Sequence, residues 1–330
     1  MYSISEFLPA DCKVNNSKFI VLLQEKWDEI HGKINVFRYK IDNLREKAVD
    51  RYLIQLNPDR CSNRRTPEHI EAICQPFNKD KFNFTKVSQE EIIMSIRDID
   101  DSISTILVNV SPISQYHSLL CPSVNNCLPQ VVTEESLNLA MKLMQIVNSR
   151  VFRIGFNSLC ALASVNHLHY HLFIEKHELP VEDGKCIHIN GPVFCLYEYP
   201  VPAFCFQLQQ DDCTYKVAND VYKLLQYFLS KEIAHNIFMT KGKNFNGGTE
   251  EVLRVIVWPR RNSTGVKQLG AFNVAVCELS GWFPVYNADD FEKLQRSDLE
   301  AELKKWKVDD FDVLCNVIKS LFSYIDFYSF

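Results

Sequence analysis

Three histidines alternate with other residues in the segment His167-Leu168-His169-Tyr170-His171. Successive side chains of a β-strand point to opposite faces, so this pattern predicts a strand whose three imidazoles share one face. Leu168 and Tyr170 would then contact a core on the other face. Grouping three titratable rings brings no packing advantage, and the segment therefore predicts a functional site on a strand.

Two kinds of chemistry fit three histidines on one face. A metal site is one, because neutral imidazoles are good zinc ligands. However, His167 and His171 would lie roughly 13 Å apart along the strand, and no cysteine or acidic residue nearby completes a ligand set. Nucleophilic catalysis is the other: a neutral imidazole attacks phosphorus and forms a reactive phosphoramidate, while neighbouring rings bind the phosphate oxygens. The spacing favours a nucleophile without a metal, although the metal alternative stays open.

The glycine content limits how this chain can bind a phosphate. Only 10 of 330 residues are glycine, against an average of about 7% in globular proteins. Neither G-x-G-x-x-G nor G-x-x-x-x-G-K-[ST] occurs, and loops that bind phosphate through backbone amides need glycine for close approach. The sequence therefore excludes the common dinucleotide and P-loop signatures and predicts phosphate recognition by side chains.

Apolar runs and turn signals recur in a similar order in two parts of the chain. The strands predicted before residue 180 lie at 52–56, 103–110, 117–122, 152–156 and 165–174. Thr133 is a good N-cap for a helix between the third and fourth of them. Beyond the polar stretch 182–185, strands and a helix follow again in a looser version of this order. We expect an α+β protein with two related parts, residues 1–180 and 181–330.

Charge, cysteine usage and apolar segments bear on location and partners. The net charge of −5 gives no general attraction to nucleic acid. No basic and apolar leader is visible, and the most apolar long segment, 191–208, is interrupted by Glu198, Pro200 and Pro202. The twelve cysteines include no C-x-x-C pair, as is typical of free thiols in a reducing compartment. We expect a cytoplasmic protein with neither a nucleic-acid partner nor a membrane partner.

Several charged side chains outside the histidine segment are weaker candidates. Lys81 and Lys86 alternate with phenylalanines, which suits a nucleotide bound by charge and stacking, although a strand with one solvated lysine face fits as well. Arg60 is similarly either a ligand for an anion or a surface residue. Glu278 lies in an apolar run that reads as a strand, where a carboxylate needs a partner, so it predicts either a buried ion pair or a site residue.

The histidine segment and the motifs around it resemble one enzyme family. His-x-His-x-His followed by Leu172-Phe173 is similar to the signature of the histidine-triad superfamily of nucleotidyl hydrolases and transferases. The surrounding motifs are more specific, and they resemble those of the GDP-hexose phosphorylases of animals and plants in the same order. They are Gln55-Leu56-Asn57 with Arg60, Gln75-Pro76-Phe77, 81–87, 109–112, 157–159, 163–169, 235–238 and 272–281.

This resemblance implies a fold and a reaction. The fold would consist of two histidine-triad-like halves, antiparallel sheets with packed helices that resemble the galactose-1-phosphate uridylyltransferase arrangement, with the triad only in the first half. The reaction would convert GDP-glucose and inorganic phosphate into GDP and glucose 1-phosphate through a guanylyl-histidine, with no cofactor and no metal. A homodimer is compatible with it. A nucleotide hydrolase of the same superfamily and a non-catalytic guanine-nucleotide-binding protein are the alternatives.

The resemblance also implies roles for individual residues. His169 would be the nucleophile, His167 and His171 would orient or stabilise the transferring group, and Ser164 would donate its hydroxyl to it. The candidates for substrate binding are Asn109, Asn157, Ser158, Arg60, Lys81, Lys86 and Glu278.

The chain departs from the family pattern at two positions. The family usually has glycine where this chain has Tyr116 and Cys160. A side chain at either position is expected to affect the backbone beside the nucleotide.

Overall fold

Two sheets and a set of helices make up the part of the chain that the structure describes. The structure is a computed structural model that describes residues 1–7, 17–42, 44–64, 68–98, 101–264 and 271–323. Its strands are β1 (Tyr2–Ser3), β2 (Arg45–Val49), β3 (Tyr52–Leu56), β4 (Ile92–Arg97), β5 (Ile103–Val108), β6 (Ser118–Cys121), β7 (Phe152–Asn157), β8 (Tyr170–Ile174), β9 (Ile187–Asn190), β10 (Val193–Leu196), β11 (Ala203–Leu208), β12 (Ala234–Lys243), β13 (Glu251–Arg260) and β14 (Trp282–Val285).

Helices connect these strands and cover both faces of the larger sheet. They are α1 (Lys18–His31), α2 (Asp59–Asn63), α3 (Glu134–Val147), α4 (Pro180–Asp183), α5 (Thr214–Ser230), α6 (Val276–Ser280), α7 (Ala288–Lys293), α8 (Arg296–Lys304) and α9 (Phe311–Leu321). Among the described residues, none of these helices is long and apolar enough to cross a membrane.

The larger sheet runs continuously through both parts of the chain. Its order is β1-β4-β5-β6-β8-β7-β12-β13-β11-β10-β9, and neighbours are antiparallel except β1 and β4. The two parts meet where β7 pairs with β12 and Asn157 lies opposite Asn236. The smaller sheet has the order β14-β3-β2. The expected α+β class, with antiparallel sheets and packed helices, is confirmed.

Helices α1, α3, α5 and α9 pack on one face of the larger sheet in a shared apolar core. The helix predicted after Thr133 is α3. At its N-terminus, the Thr133 hydroxyl accepts a hydrogen bond from the Ser136 amide. Leu137, Met141 and Met144 recur at helical spacing and are fully buried in the core. Burial of each such side chain contributes about 2 kcal/mol relative to exposure.

The opposite face of the larger sheet is covered by the smaller sheet and by α6. A second apolar core joins Phe173 of β8 and Phe238 of β12 to Ile54 of β3 and Trp282 of β14. Because β3 and β14 lie side by side in register, with Leu53 opposite Trp282, segments distant in sequence meet on this face. That contact brings α2 and α6 to the ends of β5, β7 and β8.

The strand predicted over 165–174 starts later than expected, at Tyr170. From there β8 pairs with β6 and β7. Before Tyr170 the backbone bonds to a loop instead, since the Leu168 amide donates to the Leu128 carbonyl at 2.9 Å. The prediction that all three histidines lie on one strand is therefore wrong, and only His171 does.

The cysteines form no disulfide within the described ranges. All eleven cysteines there are free thiols, and Cys12 lies outside the described residues. The fold in these ranges is therefore stabilised without disulfides, by apolar burial, hydrogen bonds and ion pairs such as the buried one between Arg153 and Glu182.

Candidate active site

An open cleft of about 1070 Å³ lies at the ends of β5, β7 and β8, on the face opposite α1, α3 and α5. One part of its wall is apolar, and consists of Phe82, Phe84, Val87, Leu107, Leu119 and Val165. Another part carries polar side chains, namely Arg60, Arg64, Asn273, Glu278 and Tyr286. His169 and His171 line the same cleft. The cleft therefore combines an apolar region with a polar region around two histidines.

The imidazole of His169 is held by a backbone carbonyl. Its Nδ1 lies 2.7 Å from the carbonyl oxygen of His167. A carbonyl only accepts hydrogen bonds, so Nδ1 carries the proton and, in the neutral ring, the lone pair is on Nε2. The ring packs against Phe84, with ring centres 5.0 Å apart. His169 is thus fixed in the tautomer that a nucleophilic Nε2 requires.

His171 is paired with another buried histidine, His117. Nε2 of His117 lies 3.0 Å from Nδ1 of His171, and Nδ1 of His117 accepts the Ile113 amide at 2.9 Å. Burial, together with the positive charge of Arg60, holds the pKa of His117 well below its ordinary value. Neutral His117 therefore carries its proton on Nε2 and donates it to Nδ1 of His171. Neutral His171 in turn carries its proton on Nε2.

His117 was not among the predicted site residues. A single histidine at the start of an apolar strand is usually structural, and the sequence alone gives no reason to place it differently. His117 comes close to His171 because of the register between β6 and β8, in which Leu119, two residues after His117, is opposite His171. Register between strands about 50 residues apart cannot be read from a local pattern.

Asn157, the last residue of β7, lies beside His171. Its Oδ1 accepts the Val276 amide at 3.0 Å and Nδ2 of Asn236 at 2.6 Å. This orients the carboxamide so that Nδ2 lies 3.4 Å from Nε2 of His171. With the His171 tautomer derived above, two N–H donors lie side by side on the cleft wall, an arrangement that suits an anionic oxygen.

The ring of His167 lies outside the cleft wall. Its Nδ1 accepts the Phe84 amide at 3.0 Å, and its Nε2 donates to the Val124 carbonyl at 3.1 Å. The ring also contacts Phe77, and burial lowers its pKa. Both ring nitrogens of His167 are thus hydrogen-bonded to the backbone. His167 contacts the site through its carbonyl oxygen, which accepts the hydrogen bond from Nδ1 of His169.

Four other predicted residues lie in the cleft wall, namely Ser164, Asn109, Arg60 and Glu278. Asn109 follows β5, accepts the Ser111 amide at 3.0 Å and places Nδ2 3.2 Å from Nε2 of His117. Ser164 lies on the loop between β7 and β8. Both residues come from loops that follow buried strands, so the sheet fixes where those loops begin.

Arg60 and Glu278 come from the two short helices α2 and α6. The guanidinium of Arg60 donates to the Ser111 carbonyl and lies 3.4 Å from the Tyr39 hydroxyl. Glu278 lies on a helix and not on the strand that its apolar neighbours suggested, and its carboxylate accepts the Ala275 amide at 2.9 Å. That hydrogen bond caps α6, which positions the carboxylate at the start of the helix.

Ser158, Lys81 and Lys86 do not line the cleft. Ser158 is buried, and its hydroxyl accepts the His235 amide at 3.0 Å, which ties β7 to β12. Lys81 pairs with Glu68 at 2.7 Å, and Lys86 donates to the Lys81 carbonyl at 2.8 Å. The segment that carries the lysines is a loop with a single helical turn, so its phenylalanines face the cleft and its lysines brace the loop.

Tyr116 and Cys160 both have left-handed backbone angles. Their φ values are 64° and 60°, in the region that glycine adopts without strain. Each costs about 1–2 kcal/mol relative to an ordinary conformation. The backbone at both positions therefore has the conformation of a glycine despite the side chain.

No metal cluster is apparent in the ranges that the structure describes. Within them, no group of three or more histidine, cysteine or acidic side chains is arranged to hold an ion. The contacts of His117, His167, His169 and His171 are with the backbone, with each other, with amides and with phenylalanine rings.

Comparison with known proteins identifies close similarity over most of the chain. The family described as "GDPGP1-like, N-terminal domain" matches residues 18–173, and "GDPGP1-like, C-terminal domain" matches residues 183–323. GDP-D-glucose phosphorylase 1 of Xenopus laevis is 32% identical over 329 residues, which cover 84% of this chain and 81% of that protein. The protein of the same name from Danio rerio is 32% identical over 300 residues, 88% of this chain and 87% of that protein.

A solved structure shows the same fold at much lower sequence identity. The crystal structure of the yeast Ap4A phosphorylase Apa2 in complex with Ap4A superposes with a TM-score of 0.59 at 15% identity. The superposition covers 86% of this chain and 95% of the yeast chain.

Proposed function

Because the chain belongs to the GDPGP1-like family, we propose that it is a GDP-D-glucose phosphorylase, which converts GDP-glucose and inorganic phosphate into GDP and glucose 1-phosphate. The protein is a nucleotidyltransferase-type enzyme. The observation that links this function to individual residues is the imidazole of His169, which lines the cleft and whose Nδ1 is hydrogen-bonded to a backbone carbonyl.

In the first half-reaction, Nε2 of His169 attacks the α-phosphorus of GDP-glucose. A P–N bond forms, and the bond from the α-phosphorus to the oxygen shared with the β-phosphate breaks. Glucose 1-phosphate leaves as its phosphate dianion, and the Nε2–H of His171, whose tautomer is supported by the His117 hydrogen bond, donates a hydrogen bond to the leaving oxygen. The Nδ1–H of His169 stays bonded to the His167 carbonyl, which stabilises the ring as it acquires positive charge.

In the second half-reaction, an oxygen of inorganic phosphate attacks the α-phosphorus of the guanylyl-histidine. The P–N bond breaks, His169 leaves as a neutral imidazole, and the proton of the attacking hydrogen phosphate stays on the new β-phosphate of GDP. One phosphoanhydride is broken and another is formed over the cycle. Asn157 and Ser164, which both line the cleft, would donate hydrogen bonds to non-bridging oxygens of the transferring group.

The two kinds of wall suggest where each part of the substrate binds. The apolar part, with Phe82 and Phe84, suits the guanine ring by stacking. The polar part, with Arg60 and Glu278, suits the β-phosphate and the hydroxyls of the sugar. Arg60 uses two contacts on Tyr39 and Ser111, and a guanidinium has five N–H donors, so it can bind phosphate while it stays anchored.

One assay separates the phosphorylase from its alternatives. GDP-glucose is incubated with and without inorganic phosphate, and GDP, GMP and glucose 1-phosphate are separated by chromatography. We expect GDP, and more than one equivalent of glucose 1-phosphate, only when phosphate is present. Without phosphate, we expect one equivalent of glucose 1-phosphate and a guanylylated His169 detectable by mass spectrometry. GMP formed without phosphate would support a hydrolase, and the absence of any turnover or adduct would support a binding protein.

A pair of variants tests the nucleophile. His169→Ala should abolish turnover and the covalent adduct while its thermal unfolding midpoint stays near that of the wild type. The matched control is His188→Ala, which changes an exposed histidine of β9 outside the cleft and should keep wild-type activity. Full activity of His169→Ala would contradict the mechanism.

The proposal extends to organisation and location. Residues 1–180 would be the catalytic half and 181–330 the second half, and the sheet supports this because its strands up to residue 174 and from residue 187 onward form opposite sides. Free thiols support a cytoplasmic location, which cell fractionation tests. A homodimer remains a prediction, which light scattering tests.

A further inference from the structure

Strands β7 and β8 separate at the point where the site begins. They pair from Phe152 opposite Ile174 to Gly155 opposite His171. Continued in the same register, the ladder would place Phe156 opposite Tyr170 and then Asn157 opposite His169. That pair is not formed, and the side chain of Gln130, from the loop before α3, lies between the two backbones.

The Gln130 carboxamide takes over the missing backbone hydrogen bonds. Its Oε1 accepts the His169 amide at 2.9 Å. Its Nε2 donates to the His169 carbonyl at 3.1 Å and to the Asn157 carbonyl at 2.9 Å. The residue is 1% exposed, so without it one amide and two carbonyls would be left among buried groups without these partners.

We propose that Gln130 is a positioning residue for the nucleophile, because its carboxamide inserts into the β7–β8 ladder and fixes the separation of His169 from Asn157. Directly paired residues of an antiparallel ladder have Cα atoms about 4.5–5.5 Å apart. With the Gln130 carboxamide between them, the backbones of His169 and Asn157 lie farther apart than those of a direct pair. The gap leaves room for a phosphoryl group between the side chains of His169 and Asn157. The inference rests on the proposed function.

Neighbouring polar residues hold the loop but do not contact the nucleophile. Asn166 accepts the Gln130 amide at 2.9 Å and donates to the Gln75 carbonyl at 3.0 Å. It therefore fixes the backbone of Gln130, whereas the bonds to His169 come from the Gln130 side chain. Geometry at the reacting atom is sensitive to such support, since a misplacement of about 1 Å costs roughly 100-fold in rate.

The test compares Gln130→Met with a control that is equally buried. Methionine keeps the length of the side chain and removes all three hydrogen bonds. Thr240→Val removes a buried hydrogen bond to Glu182, 2.8 Å long, at a distant part of β12. We expect Gln130→Met to slow single-turnover release of glucose 1-phosphate by roughly 100-fold, with the KM for GDP-glucose within about threefold. Thr240→Val should lower the unfolding midpoint but keep the rate.

A conservative variant gives a readout that loss of stability alone would not produce. In Gln130→Glu, the carboxylate still accepts the His169 amide but cannot donate to the two carbonyls. Protonation restores one donor, so the activity of this variant relative to the wild type should rise as the pH falls from 8 to 6. A constant ratio over that range, or equal rates for Gln130→Met and Thr240→Val, would overturn the proposal.

A measurement without turnover separates this inference from the proposed function. The His169 amide should exchange slowly with deuterium in the wild type and in Thr240→Val, and fast in Gln130→Met. If the wild type fails to turn over GDP-glucose, the proposed function fails while the exchange result still tests the Gln130 contact. If the amide is equally protected in all three proteins, the positioning role is wrong whatever the activity.

Discussion

The proton positions in the cleft follow from which atoms can only accept and which can only donate. A carbonyl fixes the proton of His169 on Nδ1, and a backbone amide fixes the proton of His117 on Nε2. Burial and the charge of Arg60 keep His117 neutral, and these two contacts then determine which nitrogen of His171 carries the proton. The amide of Ile113 therefore orients the hydrogen-bond donor of the proposed mechanism.

Replacing His117 tests this relay at the level of one residue. His117→Phe keeps the ring and removes the hydrogen bond to His171, so we expect the rate of the first half-reaction to fall by about 100-fold or more. A guanosine 5′-phosphate ester of p-nitrophenol has a leaving group that spreads its single negative charge into the nitro group and depends less on the hydrogen bond from His171. With that substrate, the same variant should lose much less.

The control for this comparison is His171→Gln, which should show the same dependence on the leaving group. If His117→Phe slowed both substrates equally, the histidine would act on binding or folding and the relay would be wrong. Kinetics under single-turnover conditions, with product release excluded, measure the difference.

At the scale of elements, local patterns predicted helices and buried strands well. The predicted strand over 52–56 coincides with β3, and the helix after Thr133 begins where its cap predicts. The start of β8 was missed because it depends on Gln130, a residue some 40 positions earlier that has no pattern of its own. The spacing of His169 and His171 was enough to predict them as site residues. Placing His117 at the site requires the register between strands, and placing Glu278 on a helix requires its hydrogen bond at the N-terminus of α6.

The turn between β7 and β8 offers a test of backbone conformation. Cys160 is buried there at φ 60°. Cys160→Gly should leave the free energy of unfolding within about 1 kcal/mol of the wild type, since relief of strain offsets the loss of a small buried side chain. Cys160→Val should lower it by about 2 kcal/mol or more, because β-branched residues resist this conformation.

Chemical denaturation of both variants measures the difference. Glycine removes the whole buried side chain, whereas valine has one heavy atom more than cysteine, so packing alone predicts that valine is the milder change. If valine were tolerated better than glycine, the left-handed conformation of this turn would be wrong.

On the scale of the whole molecule, buried neutral histidines link folding to pH. Burial lowers the pKa of His235 to about 4 and holds the pKa of His117 well below its ordinary value. In the unfolded chain both titrate near 6.5. Between about pH 6.5 and 4 the unfolded state therefore binds more protons than the native state, and stability falls as the pH falls.

The magnitude is accessible to equilibrium unfolding across this pH range. His235 alone should account for about 3 kcal/mol of the loss between pH 6.5 and 4. His235→Gln should flatten the dependence, although its stability at pH 7 is expected to be lower. A wild-type free energy of unfolding that stays constant from pH 7 to 5 would contradict the prediction.

Trp27 of α1 contacts residues next to the candidate active site, so its fluorescence should respond to changes there. This fully buried indole donates from Nε1 to the carbonyl of His117 at 3.4 Å, and its ring contacts Tyr116. Indole emission depends on that hydrogen bond and on nearby groups. Occupancy of the cleft that moves the backbone of His117 therefore changes the fluorescence of a tryptophan on the far side of the sheet, and the protein carries its own optical probe of binding.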